Sequence, residues 1–491
     1  MKLKIKDLSF LTGGPFVAIV NNKDAEHLDL RPGSRINIKK GKKEIIAVID
    51  IAEDGNIKPG EIGLFDEVLN FLKVKKGYVD ISIAGYLKSL SYIRKKLDGE
   101  KLNKNQFNEI IKDIIGNNLN EVELTYFVSA CYSNGLCLNE IVDLTKAIVN
   151  HGNKLNIQKY PILDKHSTGG IPGNRTTMIV VPIIAAAGIT IPKTSSRAIT
   201  SASGTSDTME ALANVSLDVD KIKKIVRKTN GCMVWGGGVN LASADDKLIK
   251  VRHPLSLDPE GLLLASIMAK KAAVNATHIL IDLPVSKYAK IKNKKDALYL
   301  KRKFMEVADK LNLIVKVIIT DGSQPVGKGI GPNLEARDVL NVLQGNGPED
   351  LKDKSLELAG TMLNMVGFKE GKKRAREILE KGLAYEKMKE IIKEQGGNPN
   401  IKAENLKLGN FKYVFRAKKS GTIKEIDNFV LSKIARVAGA PNDKKAGIDM
   451  NVKLKSKFKK GGVLFTVYSS NGKRLKYALD ILKHNNPFVF R

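Results

Sequence analysis

The sequence predicts a multidomain α/β protein with a small N-terminal β-domain, a helical domain, a central α/β domain with a mostly parallel sheet, and a C-terminal α+β domain. Two observations support this prediction. The spacing of apolar residues changes from alternation to a helical period near residue 87, and beyond residue 160 short apolar strands alternate with helices and glycine-rich loops. A chain of 491 residues is long enough for about three domains of ordinary size.

Residues 1–86 are predicted to form the β-rich domain. Polar and apolar side chains alternate over residues 35–38, and residues 45–51 form an apolar run that is typical of a buried strand. Pro-Gly pairs at 32–33 and 59–60 mark turns. These features indicate a small β-domain, for which a barrel is one arrangement.

Residues 87–158 are predicted to form the helical domain, and a segment at about 241–272 is expected to return to it. Leu124, Phe127 and Cys131 recur at helical spacing and so share one face. The Asn-His-Gly-Asn run at 150–153 is a helix stop.

The α/β domain is predicted over residues 159–400. Apolar strands at 161–164, 279–282 and 314–321 are separated by helices, which favours a parallel sheet with ligands at the carboxyl ends of its strands. The Gly-Gly-Asn-Pro-Asn run at 396–400 indicates a linker. Residues 411–491 then form the C-terminal domain, with strands at 422–426 and 462–468 and helices at 428–437 and 473–484.

The charge balance is strongly basic. There are 82 Lys and Arg against 52 Asp and Glu, a net charge of +30, which attracts anions to the surface. A general lysine bias, steering of anionic small molecules and nucleic-acid binding all fit this charge. Lysines are spread along the whole chain and aromatics are only 6% of it, so nucleic-acid binding is the least favoured of the three.

Cysteine usage and hydropathy indicate a cytoplasmic protein. Three cysteines are too few for a disulfide framework, and they form no CxxC pair. The longest apolar stretch, residues 178–192, contains two prolines and a glycine, so we expect no transmembrane helix. The first residues lack an apolar signal core.

The first loop with chemical potential spans residues 164–177 and reads Asp-Lys-His-Ser-Thr-Gly-Gly-Ile-Pro-Gly-Asn-Arg-Thr-Thr. Its glycines let backbone N–H groups approach an anion, Lys165 adds a positive charge, and a helix N-terminus follows. The spacing differs from that of a Walker A loop. The alternative is a tight turn of small residues.

The second loop, residues 194–210, is rich in Ser and Thr and contains Arg197. Hydroxyl groups beside one guanidinium suit phosphate and ribose oxygens. The alternative is a loop in which Thr205 or Ser206 simply caps the next helix.

A third segment reads Leu-Asp-Pro-Glu at 257–260. Asp258 before Pro259 is typical of a helix N-cap, and from the spacing alone capping is the favoured interpretation. A carboxylate at a helix N-terminus stays ionised, which works against a general acid. Cys232 beside Trp235 is expected in the core, and neither GxSxG nor GxGxxG occurs, so we expect no acyl-enzyme chemistry and no dinucleotide cofactor.

These segments together resemble the thymidine and pyrimidine-nucleoside phosphorylase family over residues 87–491. Further matching stretches lie at 265–271, 320–327, 331–336, 419–423 and 438–441. The first loop departs from the family in carrying one extra residue and Asn174 in place of Asp, and the second reads Ala-Ser-Gly-Thr at 202–205. With the preceding β-rich domain, these departures are similar to the archaeal-type AMP phosphorylases within the family.

The resemblance implies phosphorolysis of a nucleoside 5′-monophosphate, AMP with CMP and UMP as possible substrates, to the free base and ribose 1,5-bisphosphate. Asp258 would be the proton donor to the base. The attacking phosphate would contact Lys165, Ser167, Thr177, Ser195 and Thr205. The nucleotide would contact Gly170, Ser196, Arg197, Ala198, Ile199, Thr200, Ser201, Thr205, Ser266 and Lys290. The pair Asn174–Arg175 would reduce repulsion between two dianionic groups.

The resemblance also implies no cofactor and no metal, with inorganic phosphate as co-substrate, a homo-oligomer of two or more chains, and neither nucleic acid nor membrane as partner. Three other hypotheses remain open at this point. Arg252 and Lys270 lie near the family's pyrimidine anchors, so a thymidine or uridine phosphorylase is the first. A basic nucleic-acid-binding or scaffolding protein is the second. An anthranilate phosphoribosyltransferase, whose loop motif is missing here, is the third.

Overall fold

The computed structural model of the chain describes residues 1–13, 16–53, 55–198, 201–239, 241–252, 254–255 and 257–491. These residues form two compact units. The first consists of Met1–Gly152 with Ala242–Ala269, and the second of Asn153–Leu241 with Lys270–Arg491. Each unit has apolar core residues of its own.

The N-terminal part of the first unit is a closed β-barrel. Its side chains alternate between interior and surface, as Ile36 and Ile38 show by being fully buried while Asn37 between them is not. Its elements are β1 (Lys2–Asp7), β2 (Val17–Asn21), α1 (Asn22–His27), β3 (Arg35–Lys40), β4 (Lys43–Ala52), β5 (Glu61–Leu64), α2 (Asp66–Leu72) and β6 (Tyr78–Ile83). The strands close in the order β1-β5-β2-β4-β3-β6.

The next helices of the first unit are α3 (Lys88–Leu97), α4 (Lys104–Ile115), α5 (Glu121–Ser133) and α6 (Leu138–His151). Capping boxes begin two of them. Asn103 caps α4 with Gln106, and Asn120 caps α5 with Glu123, so each pair satisfies amides at the helix start. Arg35 of the barrel also binds the Glu123 carboxylate.

A buried ion pair holds α3 and α6 together. The Lys96 ammonium lies 2.8 Å from the Glu140 carboxylate, and only 2% and 3% of the two side chains are exposed. Glu140 also accepts hydrogen bonds from the amides of Leu102, at 3.0 Å, and Cys137, at 2.9 Å. The Glu140 carboxylate therefore neutralises the Lys96 ammonium and accepts hydrogen bonds from two backbone amides outside the helices.

The second unit contains a parallel sheet. Strands β7 (Leu163–Ser167), β8 (Ile191–Ser195), β9 (Gly231–Trp235), β10 (His278–Val285) and β11 (Ile314–Asp321) pair as β11-β10-β7 and β8-β9. A parallel bridge between Ile162 and Thr190 places β8 beside β7. All five carboxyl ends therefore lie along one edge, where ligands gather in such sheets.

The remaining elements of the α/β part of the second unit are α7 (Thr177–Ala186), α8 (Thr205–Met209), α9 (Val219–Thr229), α12 (Lys294–Lys310), β12 (Gly329–Ile330), α13 (Pro332–Leu343), α14 (Glu349–Met365), α15 (Gly371–Glu380) and α16 (Leu383–Glu394). The segment that returns to the first unit forms α10 (Ser243–Arg252) and most of α11 (Glu260–Ala273). Helix α7 is apolar and buried on every side, since α14, α15 and α16 cover it. Helix α10 belongs to the first unit and packs on α4, α5 and α6.

The C-terminal part of the second unit mixes strands and helices. Its elements are β13 (Phe411–Arg416), β14 (Gly421–Ile426), α17 (Asn428–Ala438), β15 (Gly447–Met450), β16 (Lys457–Phe458), β17 (Val463–Ser469), α18 (Gly472–His484) and β18 (Phe488–Phe490). They form two sheets, in the orders β12-β15-β17-β13 and β16-β14-β18. Strand β12 thereby joins this part to the α/β part.

Replacing Glu140 with Gln is expected to lower the free energy of unfolding of the helical part by about 3–5 kcal/mol, because Lys96 is left as an uncompensated buried charge. Amide hydrogen exchange in α3 and α6 measures the change. The control is Glu100→Gln, which removes an exposed ion pair with Lys95 and should cost less than about 1 kcal/mol. Equal effects of the two variants would contradict the conclusion that the buried Lys96–Glu140 pair stabilises the helical part.

Candidate active site

Both loops singled out in the sequence begin at the carboxyl edge of the parallel sheet. The first leaves β7 after Ser167 and enters α7 at Thr177, and the second leaves β8 after Ser195 and enters α8 at Thr205. Parallel pairing of β7 with β8 makes the two loops neighbours. The fold thus brings to one edge the five residues that the sequence predicts to bind phosphate.

Lys165 lies below these loops with only 1% of its surface exposed. Its ammonium donates to the hydroxyl of Thr176 at 2.9 Å and reaches that of Thr177 at 3.4 Å. Burial lowers the pKa of Lys165 to about 7, and Asp282 offsets part of that effect. A nearby anion would therefore stabilise the charged form of this lysine.

Asp282 on β10 is the carboxylate that orients Ser167. The Ser167 hydroxyl donates to Asp282 Oδ2 at 3.0 Å, and the Thr320 hydroxyl donates to Oδ1 at 2.5 Å. The Lys354 ammonium lies 3.5 Å from Oδ2. Burial alone would raise the pKa of Asp282, but Lys354, Lys165 and the two hydroxyls together hold it below its ordinary value.

A second buried carboxylate, Asp164, lies between two lysines. Lys193 Nζ is 3.1 Å from one of its oxygens and Lys271 Nζ is 2.7 Å from the other. Burial lowers the pKa of Lys271 to about 7. The pKa of His166 lies well below its ordinary value, mainly because the side chain is buried and also because Lys271 and Lys193 are close. Its imidazole is therefore neutral at pH 7.

Arg175 links the two loops. It forms a buried ion pair with Glu335 on α13, donates to the Thr205 hydroxyl at 3.2 Å and donates to the Ser203 carbonyl at 2.7 Å. The Thr208 hydroxyl donates to the same Glu335 oxygen at 2.9 Å. Glu335 therefore compensates this guanidinium within the protein, and Arg175 positions Thr205. The expected effect of Asn174 and Arg175 on repulsion between two substrate anions stays a prediction.

Asp207 organises the second loop by accepting backbone amides. The N–H groups of Ala198 and Gly204 donate to Asp207 Oδ2 at 2.7 and 2.8 Å. A side chain at Gly204 is excluded, because its Cβ would lie 2.6 Å from the Ser196 carbonyl oxygen. Helix α8 begins at Thr205 with Gly204 in the N-cap position, so neither Thr205 nor Ser206 is its cap.

Hydroxyls of the second loop are partly engaged within the protein. Ser195 and Ser206 share a hydrogen bond of 2.8 Å, and Ser201 donates to the Ser203 carbonyl at 2.9 Å. Ser196 is exposed. The predicted nucleotide contacts Ile199 and Thr200 lie outside the described residues.

Arg197 is held in one place by charged and aromatic neighbours. It binds both oxygens of Glu210, at 2.9 and 2.6 Å, and lies 3.3 Å from Asp207. Its guanidinium is 4.9 Å from the centre of the Trp235 ring. Lys444 reaches the same Glu210 carboxylate at 3.3 Å. Arg197 keeps 36% of its side chain exposed, so it can still meet an anion.

Gly170 brings the first loop against the residue predicted to bind the nucleotide, Lys290. Its φ of +88° is left-handed, and a Cβ there would lie 2.9 Å from the Lys290 amide nitrogen. Only glycine allows this approach. Lys290 itself is exposed.

The first unit carries the two remaining predicted residues. The Ser266 hydroxyl on α11 is buried and donates to Asp245 Oδ2 at 2.6 Å, and Asp245 lies 3.8 Å from Arg252. Asp258 is exposed, two residues before α11 begins at Glu260. The carbonyl of Pro259 accepts the first helical hydrogen bond, from Leu263. Helix α11 thus begins directly after Pro259, and the capping interpretation of Asp258 stays a prediction.

Two of the three cysteines lie in the core of the described part of the chain. Burial raises the pKa of both Cys131 and Cys232 to about 12, so these thiols are core residues and not nucleophiles. Over the described ranges no three His, Cys, Asp or Glu side chains are grouped to hold a metal ion. Every helix in those ranges is too short or too polar to be a membrane span.

Sequence reasoning missed the supporting layer of the site, namely Asp164, Lys193, Lys271, Asp282, Glu335 and Lys354. Some of these residues left a signal in the sequence. Asp282 and Asp164 end or interrupt apolar strands that are otherwise buried, and Lys354 follows Leu351 by three residues on the apolar face of α14. A charge at a core position is costly and therefore indicates a special environment.

Three family models match the chain. The model described as "Glycosyl transferase family, helical bundle domain" matches residues 90–152, and "Glycosyl transferase family, a/b domain" matches residues 159–385. "Pyrimidine nucleoside phosphorylase C-terminal domain" matches residues 422–488. These matches confirm the predicted multidomain α/β architecture with a helical bundle.

Solved structures similar in fold include two anthranilate phosphoribosyltransferases. The enzyme of Thermus thermophilus superposes with a TM-score of 0.52 at 18% identity, over 62% of this chain and 98% of that one. The enzyme of Saccharomyces cerevisiae gives a TM-score of 0.50 at 18% identity, over 63% of this chain and 98% of that one. At such identity the likeness concerns the fold alone.

Much closer relatives match along nearly the whole chain. A protein of Pyrococcus furiosus is 47% identical and one of Thermococcus kodakarensis is 45% identical, each over 99% of this chain and 97% of its own length. One of Methanococcus maripaludis is 43% identical over 96% of this chain and 95% of its own length. All three are named AMP phosphorylase. On identity and coverage of this extent, the chain belongs to the AMP phosphorylase family.

Proposed function

We propose that this protein catalyses phosphorolysis of nucleoside 5′-monophosphates. AMP and inorganic phosphate give adenine and ribose 1,5-bisphosphate, and CMP and UMP are further candidate substrates. The observation that carries the proposal is the match to AMP phosphorylases over nearly the full chain. The cation-rich layer beneath two hydroxyl-lined loops supports it, because the reaction brings two phosphate groups together.

The attacking phosphate binds the hydroxyl and ammonium groups at the sheet edge. Its proposed ligands are Lys165, Ser167, Thr177, Ser195 and Thr205. Three observations support this set: Asp282 orients Ser167, Arg175 orients Thr205, and Lys165 lies within reach of Thr177. Donors held in this way need little rearrangement when an anion arrives.

The nucleotide binds the second loop and its surroundings. The proposed contacts are Gly170, Ser196, Arg197, Ala198, Ile199, Thr200, Ser201, Thr205, Ser266 and Lys290. The partly exposed Arg197 and the exposed Lys290 suit the 5′-phosphate, and loop hydroxyls suit the ribose. Ser266, oriented by Asp245, suits the base.

The reaction is a displacement at ribose C1′. A phosphate oxygen forms the new C1′–O bond as the bond to adenine N9 breaks, and phosphate oxygens stabilise the positive charge that develops on the ribose. Asp258 donates a proton to the leaving base, because adenine is a poor leaving group as an anion. The phosphate gives up its own proton, so charge is balanced overall.

Several accompanying properties belong to the same proposal. No cofactor or metal takes part, and phosphate is the only co-substrate. The protein is a cytoplasmic homo-oligomer of two or more chains. It acts in nucleotide degradation or salvage on small molecules alone.

Adenine release from AMP is expected only when phosphate is present, since water is not the nucleophile. Chromatography of reactions with AMP and with adenosine, each with and without phosphate, measures this. Release from thymidine or uridine but not from any nucleotide would replace the proposal by a nucleoside phosphorylase. No release from any of these substrates would contradict both, and RNA binding would be measured next.

The Asp258→Asn variant is expected to lower kcat with AMP by about 10²-fold or more, because the base must leave without a proton. The matched control is Glu260→Gln, which removes a carboxylate from the same helix start. With a substrate whose base leaves readily as an anion, the same variant should lower kcat much less. Near-normal kcat for Asp258→Asn would remove this residue from the chemistry.

Lys165 should make phosphate use pH-dependent. Its pKa of about 7 means that the cation is present below that pH and is lost above it. The ratio of kcat/KM for phosphate, wild type over Lys165→Met, is therefore expected to fall as pH rises from about 6 to about 9. The titration of phosphate itself cancels in the ratio. Lys159→Met, at an exposed lysine, should give a ratio near one throughout, and a flat ratio for Lys165→Met would contradict the role.

A further inference from the structure

Lys354 is a buried lysine whose ammonium is not hydrogen-bonded to any residue of the site described so far. It lies on α14 three residues after the fully buried Leu351, and only 13% of its side chain is exposed. Its Nζ is buried completely and has no hydrogen-bond partner among the residues that the structure describes. An ammonium with three unused donors at such a site is costly unless something else binds it.

The nearest carboxylate does not satisfy this lysine. Asp282 Oδ2 is 3.5 Å from Nζ, which is too long for a hydrogen bond. That oxygen already accepts from Ser167 at 3.0 Å, and Oδ1 accepts from Thr320 at 2.5 Å. Lys354 is therefore paired with Asp282 by charge only, and its donors remain available.

The position of Lys354 places it beside the phosphate-binding loop. Its ammonium and the Ser167 hydroxyl approach the same oxygen of Asp282, so the two are neighbours. Next to Ser167 is a second unsatisfied donor: Thr168 Oγ1 is buried and has no partner within the described ranges. Two unused donors thus flank one residue that the proposed function assigns to phosphate.

The balance of charge points the same way. Lys165 and Lys354 both act on Asp282, and Lys354 is one of the cations that lower the pKa of Lys165. One carboxylate therefore faces two buried ammonium groups. The excess is one positive charge, which an anion would compensate and a neutral ligand would not.

We propose that Lys354 is a ligand of the inorganic phosphate co-substrate, with the Thr168 hydroxyl as an additional donor. The proposal rests on the proposed function in taking phosphate as co-substrate. Lys354 contacts the attacking phosphate and not the 5′-phosphate of the nucleotide, because its neighbour is Ser167 and not Arg197 or Lys290. Lys165 and Lys354 then interact with both phosphate and Asp282.

The test is the Lys354→Met variant of the full-length protein, which keeps the side-chain length and removes the charge. Loss of a hydrogen bond to a charged group is expected to raise the phosphate KM by about 10- to 100-fold. The AMP KM should change by less than about twofold. Lys352→Met, on the same helix and paired with Glu349 at the surface, should leave both constants unchanged. Lys354→Arg should restore most of the phosphate affinity.

A double variant distinguishes direct binding of phosphate by Lys354 from an effect that Lys354 exerts only through Asp282. If Lys354 merely neutralises that carboxylate, adding Lys354→Met to the Asp282→Asn variant should leave its phosphate KM unchanged, and the proposal fails. If Lys354 binds phosphate, Lys354→Met should raise the phosphate KM further in the Asp282→Asn background as well. Thr168→Val should raise the phosphate KM by a smaller factor, about 3- to 10-fold, as expected for a neutral donor.

Calorimetric titration with inorganic phosphate distinguishes failure of this proposal from failure of the proposed function. Phosphate binding that Lys354→Met weakens, in a protein that releases no adenine from AMP, would support the site and overturn the function. Adenine release with a normal phosphate KM in a folded Lys354→Met protein would overturn the site and keep the function. Circular dichroism confirms folding, and if the Met variant does not fold, Lys354→Gln takes its place under the same criteria.

Discussion

The excess of buried ammonium groups over carboxylates at the sheet edge is the constraint on which the rest of the site depends. Asp164 and Asp282, each fully buried, compensate four lysines: Lys193 and Lys271 at the first carboxylate, and Lys354 and Lys165 at the second. Such an arrangement is costly in a protein without a bound anion. A bound anion would compensate the excess of positive charge.

The same constraint explains why the loops above are so closely tied. Ser167 is oriented by Asp282 and Thr205 by Arg175, and Arg175 is itself compensated by Glu335. Donors that are fixed before the substrate arrives stabilise developing charge without rearrangement. The second loop is fixed in a similar way, since Asp207 accepts hydrogen bonds from two of its backbone amides. Glycine at 170 and 204 permits these close approaches.

Much of the architecture could be predicted because it depends on local periodicity. The strand predicted at 314–321 and the helix predicted at 428–437 agree closely with β11 and α17, since alternation and helical spacing are read directly from the chain. Helix starts follow local patterns less closely. Thr205 and Ser206 are the capping candidates for α8, yet Gly204 takes the N-cap position and donates its amide to Asp207. Propensity alone does not decide which residue takes that position.

The sequence by itself determined the two loops, the residue types in them and, through their resemblance to known phosphorylases, the reaction. It did so because glycines, hydroxyls and a lysine at these spacings act within a single segment. Only the tertiary structure decided which charges compensate which. Glu335 lies 160 residues from Arg175, and Asp282 lies 115 residues from Ser167. Pairings over such distances depend on strand order and helix packing, and no local pattern records them.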